Sequence, residues 1–81
     1  MQIRLIYHDK ARDLVGKSGD MLHVDESANG SSLLSRLATA HPQLISHLNA
    51  VRILRNAHDV TADTQLCDGD IVDVTIQHVT A

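Results

Sequence analysis

Three sets of residues in this sequence could do chemistry: six histidines, one cysteine, and two aspartates around a glycine. The histidines are His8, His23, His41, His47, His58 and His78. Imidazoles bind metals or move protons when they converge, and in a sequence that shows as an i, i+4 pair on a helix or a short zinc-type spacing. Neither spacing occurs within a helical stretch here, so the six read as scattered surface side chains. Cys67 stands alone, which excludes an internal disulfide and a cysteine-based metal site. As a sulfur acceptor it would need its thiolate, and the charges of Asp68 and Asp70 disfavour one. It reads instead as a partly buried residue at a strand end. Asp68-Gly69-Asp70 holds two carboxylates, an incomplete cation site, whereas glycine flanked by aspartates is ordinary turn chemistry. No Ser/His/Asp, Cys/His or paired-carboxylate set stands out. The residues therefore name no catalytic group and no metal site, and an enzyme in its own right is not expected.

The elements that would position any site must come from a small chain. At 81 residues it makes one domain with a modest core. One tyrosine and no Phe or Trp leave Leu, Ile, Val and Met to build that core. The formal charge of −3 supplies no basic face for phosphates, and the lack of aromatics removes base-stacking platforms, so a nucleic-acid partner is not expected. No apolar run is long enough for a secretory signal or a membrane span, and a cytoplasmic protein is the default. A mildly acidic surface suits a protein that docks on a basic partner.

Taken in order, Met1–Tyr7 alternates apolar and polar residues and predicts a half-buried strand. Asp9–Lys17 predicts one helical turn closed by Gly16. Met21–Asp25 predicts a second short strand. Leu33, Leu34, Leu37 and Ala38 form a single stripe, predicting a helix over Ser31–His41. Asn29 or Ser31 caps it, and Pro42 ends it. Leu44, Ile45 and Leu48 then cover the helix end. Val51–Asn56 is a third strand, Asn56–Asp59 a turn, and Val60–Leu66 a short strand or irregular edge. After the Asp-Gly-Asp turn, Val72, Val74 and Ile76 share one side of a last strand, opposite Asp73, Thr75 and Gln77. The first and last strands have the cleanest alternation, and the chain between them is long enough for a crossover. They are expected side by side, parallel, in the middle of the sheet. The fold class is α+β: a mixed sheet of about five strands with one main helix across one face.

That arrangement is similar to the β-grasp, or ubiquitin-like, fold, and three stretches narrow it. LIYHDKARDLVGK resembles the start of the MoaD family, the small subunit of molybdopterin synthase, with Arg12-Asp13-Leu14-Val15-Gly16 on that family's Arg-[Glu/Asp]-Leu-x-Gly turn. SSLLSRLATAHPQL resembles its helix and closing His-Pro. LRNAHDVTADTQLCDGDIVDVTI resembles its Asn turn and Leu-x-Asp-Gly-Asp-x-Val strand entry. The ordered set covers nearly the whole chain and points to the MoaD/ThiS group of sulfur carriers.

The resemblance implies a single domain, residues 1–81, with a flexible tail over about 77–81. In that family the tail ends Val-[Ser/Thr]-Gly-Gly. An E1-like enzyme adenylates the terminal carboxylate, sulfur replaces one oxygen to give a thiocarboxylate, and the tail threads into a large catalytic subunit. Val79, Thr80 and Ala81 fall on the carrier tail. Ala81 stands at the first glycine and nothing stands at the second, so the expected carboxylate lies one residue, about 3.3–3.6 Å, short. No bound cofactor is expected, only sulfur as the C-terminal thiocarboxylate of a carrier. The partners implied are a large subunit of molybdopterin-synthase type and an E1-like adenylating enzyme. The alternative is a paralogue that keeps the fold and serves another complex as a non-catalytic, protein-binding subunit. In either case Arg4, Ile6, Arg52, Leu54 and Thr75 should face away from the helix, a small apolar patch with a basic rim, as the partner-binding face.

Overall fold

The computed structural model describes residues 1–77, the side chain of Leu48 excepted. Along them run β1 (Gln2–Tyr7), α1 (Asp9–Val15), β2 (Gly19–His23), α2 (Gly30–Ala40), a 3-10 segment (Pro42–Ala50), β3 (Val51–Arg55), β4 (His58–Asp59) and β5 (Ile71–Ile76). The strands form one sheet in the order β2-β1-β5-β3-β4. β1 and β5 pair in parallel, with Leu5 beside Val72 and Tyr7 beside Val74. The other pairs are antiparallel. The expected α+β sheet with a central parallel pair is thus the observed one.

One face of this sheet makes the core. Ile3, Leu5 and Tyr7 of β1, Val72 and Val74 of β5, Ile53 of β3 and Leu22 of β2 point into it, where they meet Leu33 and Leu37 of α2 and Leu44 of the 3-10 segment. Alternation in the strands and an i, i+4 pair in the helix are the periods that let each element bury one side. Leu44 is fully buried but Ile45 is 58% exposed, so Ile45 does not cover the helix end as its neighbours suggested. With three residues per 3-10 turn, consecutive side chains sit about 120° apart, and only one of the two can face inward.

The helix ends follow their chemistry. The Asn29 side chain accepts the Ser32 amide at 3.0 Å, making Asn29 the N-cap of α2. α1 is longer than a single turn and ends at Gly16, whose φ of 85° lets its N–H reach back to the Arg12 carbonyl. β2 lies two residues earlier than the apolar pattern indicated. Its ladder with β1 begins at Gly19 opposite Ile6, directly after the turn, and closes where the Val24 N–H meets the Met1 carbonyl.

Residues 60–66 form the irregular edge, not a strand. Their carbonyls are taken by the start of α2: the Gly30 N–H donates to Thr64 and the Ser31 N–H to Ala62. These are two of the first-turn amides that no helical carbonyl can satisfy, so the loop serves as a backbone cap. Gly30 has to be glycine for this approach, since a Cβ there would overlap the Thr61 carbonyl. At the other end of the loop Leu66 is buried, and Cys67 is exposed, which corrects its expected partial burial. Its N–H is turned to the Asp70 carboxylate at 2.8 Å, while Leu66 takes the inward position. Asp68-Gly69-Asp70 is the turn that its composition indicated, with Gly69 at φ 85°.

Between β3 and β4, Asn56 and Ala57 both sit in the left-handed region, at φ 52° and 66°. A two-residue hairpin of matching twist demands this, and alanine adopts it at a cost of roughly 1–2 kcal/mol. Two variants should therefore move stability in opposite directions in thermal melts. Gly30→Ala is expected to lose roughly 1–3 kcal/mol by pushing the loop off the helix start. Ala57→Gly is expected to gain about 1 kcal/mol, several degrees in Tm for a domain of this size.

Candidate functional site

Among the described residues no helix lies over the sheet face opposite α2, and the strand register fixes what that face displays. Residues directly opposite on neighbouring strands share a face. One row therefore runs Met21, Arg4, Ile71, and the next runs Gly19, Ile6, Asp73, Leu54, Asp59. A third sets Thr75 beside Arg52. All five residues expected to face away from the helix, Arg4, Ile6, Arg52, Leu54 and Thr75, lie on this face.

Its character differs from the expected patch in two respects. First, Ile6 and Leu54 are only half-buried, and the most exposed apolar side chains are Met21 at 52% and Ile71 at 51%. These two lie in one row, on either side of Arg4. Second, the rim is not simply basic. The Arg52 guanidinium donates to Asp59 at 2.7 Å, and both side chains are well exposed, so the pair orients the arginine and adds little stability. Arg4 has no ion-pair partner among the described residues. Between Ile6 and Leu54 sits Asp73, with His8 Nε2 2.9 Å from its Oδ1.

Met21, Ile71, Asp73 and His8 were absent from the set read from sequence. The signal for three of them was present. Ile71 and Asp73 have the same parity as Thr75, and His8 continues the parity of Arg4 and Ile6. Met21 depended on the β1–β2 register, which alternation alone does not give.

A second polar cluster lies at the margin of the core. His41, at the C-cap of α2, is buried, so it is not one of the scattered surface imidazoles. Its Nε2–H donates to Asp20 Oδ2 at 2.9 Å, its ring meets Tyr7 edge to face with centroids 5.7 Å apart, and Lys17 Nζ lies 3.2 Å from the same carboxylate oxygen. Burial alone would raise the Asp20 pKa, but the His41 hydrogen bond, the Met21 amide and Lys17 outweigh it and hold the carboxyl below its usual range. Asp70 behaves alike: burial opposes, and the Cys67 amide and the Arg55 guanidinium prevail. Among the described residues the buried Tyr7 hydroxyl has no hydrogen-bond partner, and burial first, then the nearby Asp20 charge, hold its pKa well above the ordinary tyrosine range. These groups bind the end of α2 to β2 and the Asp-Gly-Asp turn to β3. Among the described residues no three His, Cys, Asp or Glu side chains converge to hold a metal ion.

From β5 the chain passes directly toward the tail. The Gln77 N–H donates to the Ala50 carbonyl at 2.7 Å, which fixes where the tail departs. His78 and the expected carrier residues Val79, Thr80 and Ala81 lie outside the described residues.

A five-stranded mixed sheet with a central parallel pair and one principal helix across it is the ubiquitin-like β-grasp fold. The ThiS family model matches residues 5–79, and the chain belongs to the ThiS family. Solved structures place it beside small proteins of related kind. SAMP1 from Haloferax volcanii superposes with a TM-score of 0.87 at 18% identity, over 100% of both chains. A putative molybdopterin converting factor, subunit 1, from Pyrococcus furiosus gives 0.86 at 22% identity, over 96% of this chain and 99% of that one. A chain in the complex of subunits 1 and 2 of the molybdopterin-converting factor from Helicobacter pylori gives 0.69 at 15% identity, over 100% of both. At such identities these likenesses are of fold. No curated protein matches the sequence. No helix among the described residues is long and apolar enough to cross a membrane.

The lowered carboxyls have a consequence in solution. A pKa lower in the folded state than in the unfolded one adds stability above the unfolded value, and that stability is lost as pH falls through the folded value. Unfolding free energy should therefore decline as pH drops below about 4. In Asp20→Asn/Asp70→Asn the curve should start lower and fall less steeply, as followed by denaturant titration across that range.

Proposed function

We propose that this protein is the small, sulfur-carrying subunit of a complex of molybdopterin-synthase type. Its outer sheet face docks on the larger subunit, and its C-terminal tail delivers the carried atom. One observation carries the reading. β5, the strand that displays Ile71, Asp73 and Thr75 on the exposed face, is also the strand that leads into the tail, and its departure point is pinned at Ala50. A partner that grips this face thereby fixes the root of the tail. Family membership and the fold shared with a subunit that assembles with a second one support the same reading.

The chain would do no catalysis and bind no resident cofactor. An E1-like enzyme would adenylate the terminal carboxylate, sulfur would replace one oxygen, and the tail Val79-Thr80-Ala81 would carry the thiocarboxylate to the larger subunit, in the cytoplasm. A second reading, a non-catalytic docking subunit of another complex, is favoured by one residue. Ala81 places a methyl group where the family's first glycine leaves the tail thin and free in φ.

Intact mass separates the two. After co-expression with an E1-like partner and a sulfur source, a carrier gains the mass of one sulfur-for-oxygen exchange, localised to the C-terminal peptide. A mass that never changes, with the larger subunit still bound, selects the docking subunit.

A further inference from the structure

Asp73 is an unusual residue to find at the middle of a docking face. It lies on the central strand, with Ile6 beside it on β1 and Leu54 beside it on β3. Two half-buried apolar side chains thus flank a carboxylate that is itself 39% exposed. The other charged groups on this face are placed around it. Arg4 stands in the neighbouring row without an ion pair among the described residues. Arg52 is held by Asp59 on the far side of Leu54. His8 approaches from the end of β1 and meets one oxygen, Oδ1, at 2.9 Å. The second oxygen, Oδ2, has no hydrogen-bond donor among the described residues.

A partner that covers Ile6, Leu54, Ile71 and Met21 must also cover Asp73. Doing so strips the remaining water from a charged oxygen, and an apolar surface offers nothing in return. Alone in the molecule, Asp73 is stable because solvent completes its shell; in a complex, the partner must complete it. We propose that Asp73 sets the specificity of this face, and that the larger subunit answers it with an arginine or lysine seated between the apolar side chains it packs on Ile6 and Leu54. A surface of the same shape without that cation is rejected, since it leaves a buried charge unpaired. The net charge of −3 on this chain favours approach by a partner with such a basic group.

The inference rests on the docking reading above, so its test carries a control for that reading. The larger, molybdopterin-converting subunit of the same organism is titrated calorimetrically against the full chain and three variants. Thermal melts confirm that each variant folds. Leu54→Asp tests the face itself: unchanged affinity there, or no binding by the wild type, overturns the docking reading. With Leu54→Asp defective, Asp73→Lys is expected to weaken binding by roughly thirtyfold or more, because two cations then oppose each other. Reversing the partner's facing arginine or lysine to aspartate should restore most of that loss. If Asp73→Leu binds as tightly as the wild type or more so, the carboxylate has no answering cation, and this proposal alone fails.

Discussion

The parallel pairing of β1 with β5 is the constraint on which the rest of this structure depends. Ile3, Leu5 and Tyr7 on one strand and Val72 and Val74 on the other are buried nearly completely, and they bring together two segments some seventy residues apart. Parallel neighbours need a long crossover, and everything between them is that crossover. α2 lies over the pair because a strand pair with one apolar face must be covered by something with a matching stripe, and Leu33 and Leu37 provide it. The loop over residues 60–66, Gly30 and Asn29 exist in their observed forms to finish that helix's first turn.

The same pairing decides the other face. Register is set by the buried side, since a slip of one residue would invert every side chain. Once Leu5 sits beside Val72, Ile6 must sit beside Asp73, and Arg4 beside Ile71. The exposed surface is thus an obligatory consequence of the core, and its composition is free to serve binding. Half-exposed Met21 and Ile71 are hard to account for by folding alone, while an aspartate between Ile6 and Leu54 adds nothing to packing. Both make sense as features of a surface that meets another protein. The tail root follows too, because β5 delivers the chain from the centre of that face to Gln77.

Much of this was legible in the sequence where period alone decides. Alternation in Met1–Tyr7 and Ile71–Ile76 marks the central strands, the stripe at Leu33, Leu34 and Leu37 marks α2, Asn29 marks its start, and Gly16 marks the end of α1. The outward placement of Arg4, Ile6, Arg52, Leu54 and Thr75 follows from the same parity. What was not legible depends on contacts between distant segments. The burial of His41 needs Asp20 twenty-one residues away, and nothing in its immediate neighbours signals it. The exposure of Cys67 follows from a backbone bond to the Asp70 side chain. The irregular course of residues 60–66 follows from helix amides elsewhere in the chain, and Met21 joins the face only through the β1–β2 register.

The central claim is that the uncovered sheet face is where a larger subunit binds. Amide and methyl NMR of the labelled chain, recorded alone and with its larger subunit, tests this most directly. The account predicts shift changes and amide protection concentrated on Arg4, Ile6, Met21, Leu54, Ile71, Asp73 and Thr75, with the outer positions of α2 unaffected. Changes confined to α2 and the 3-10 segment, with the sheet face silent, would contradict it.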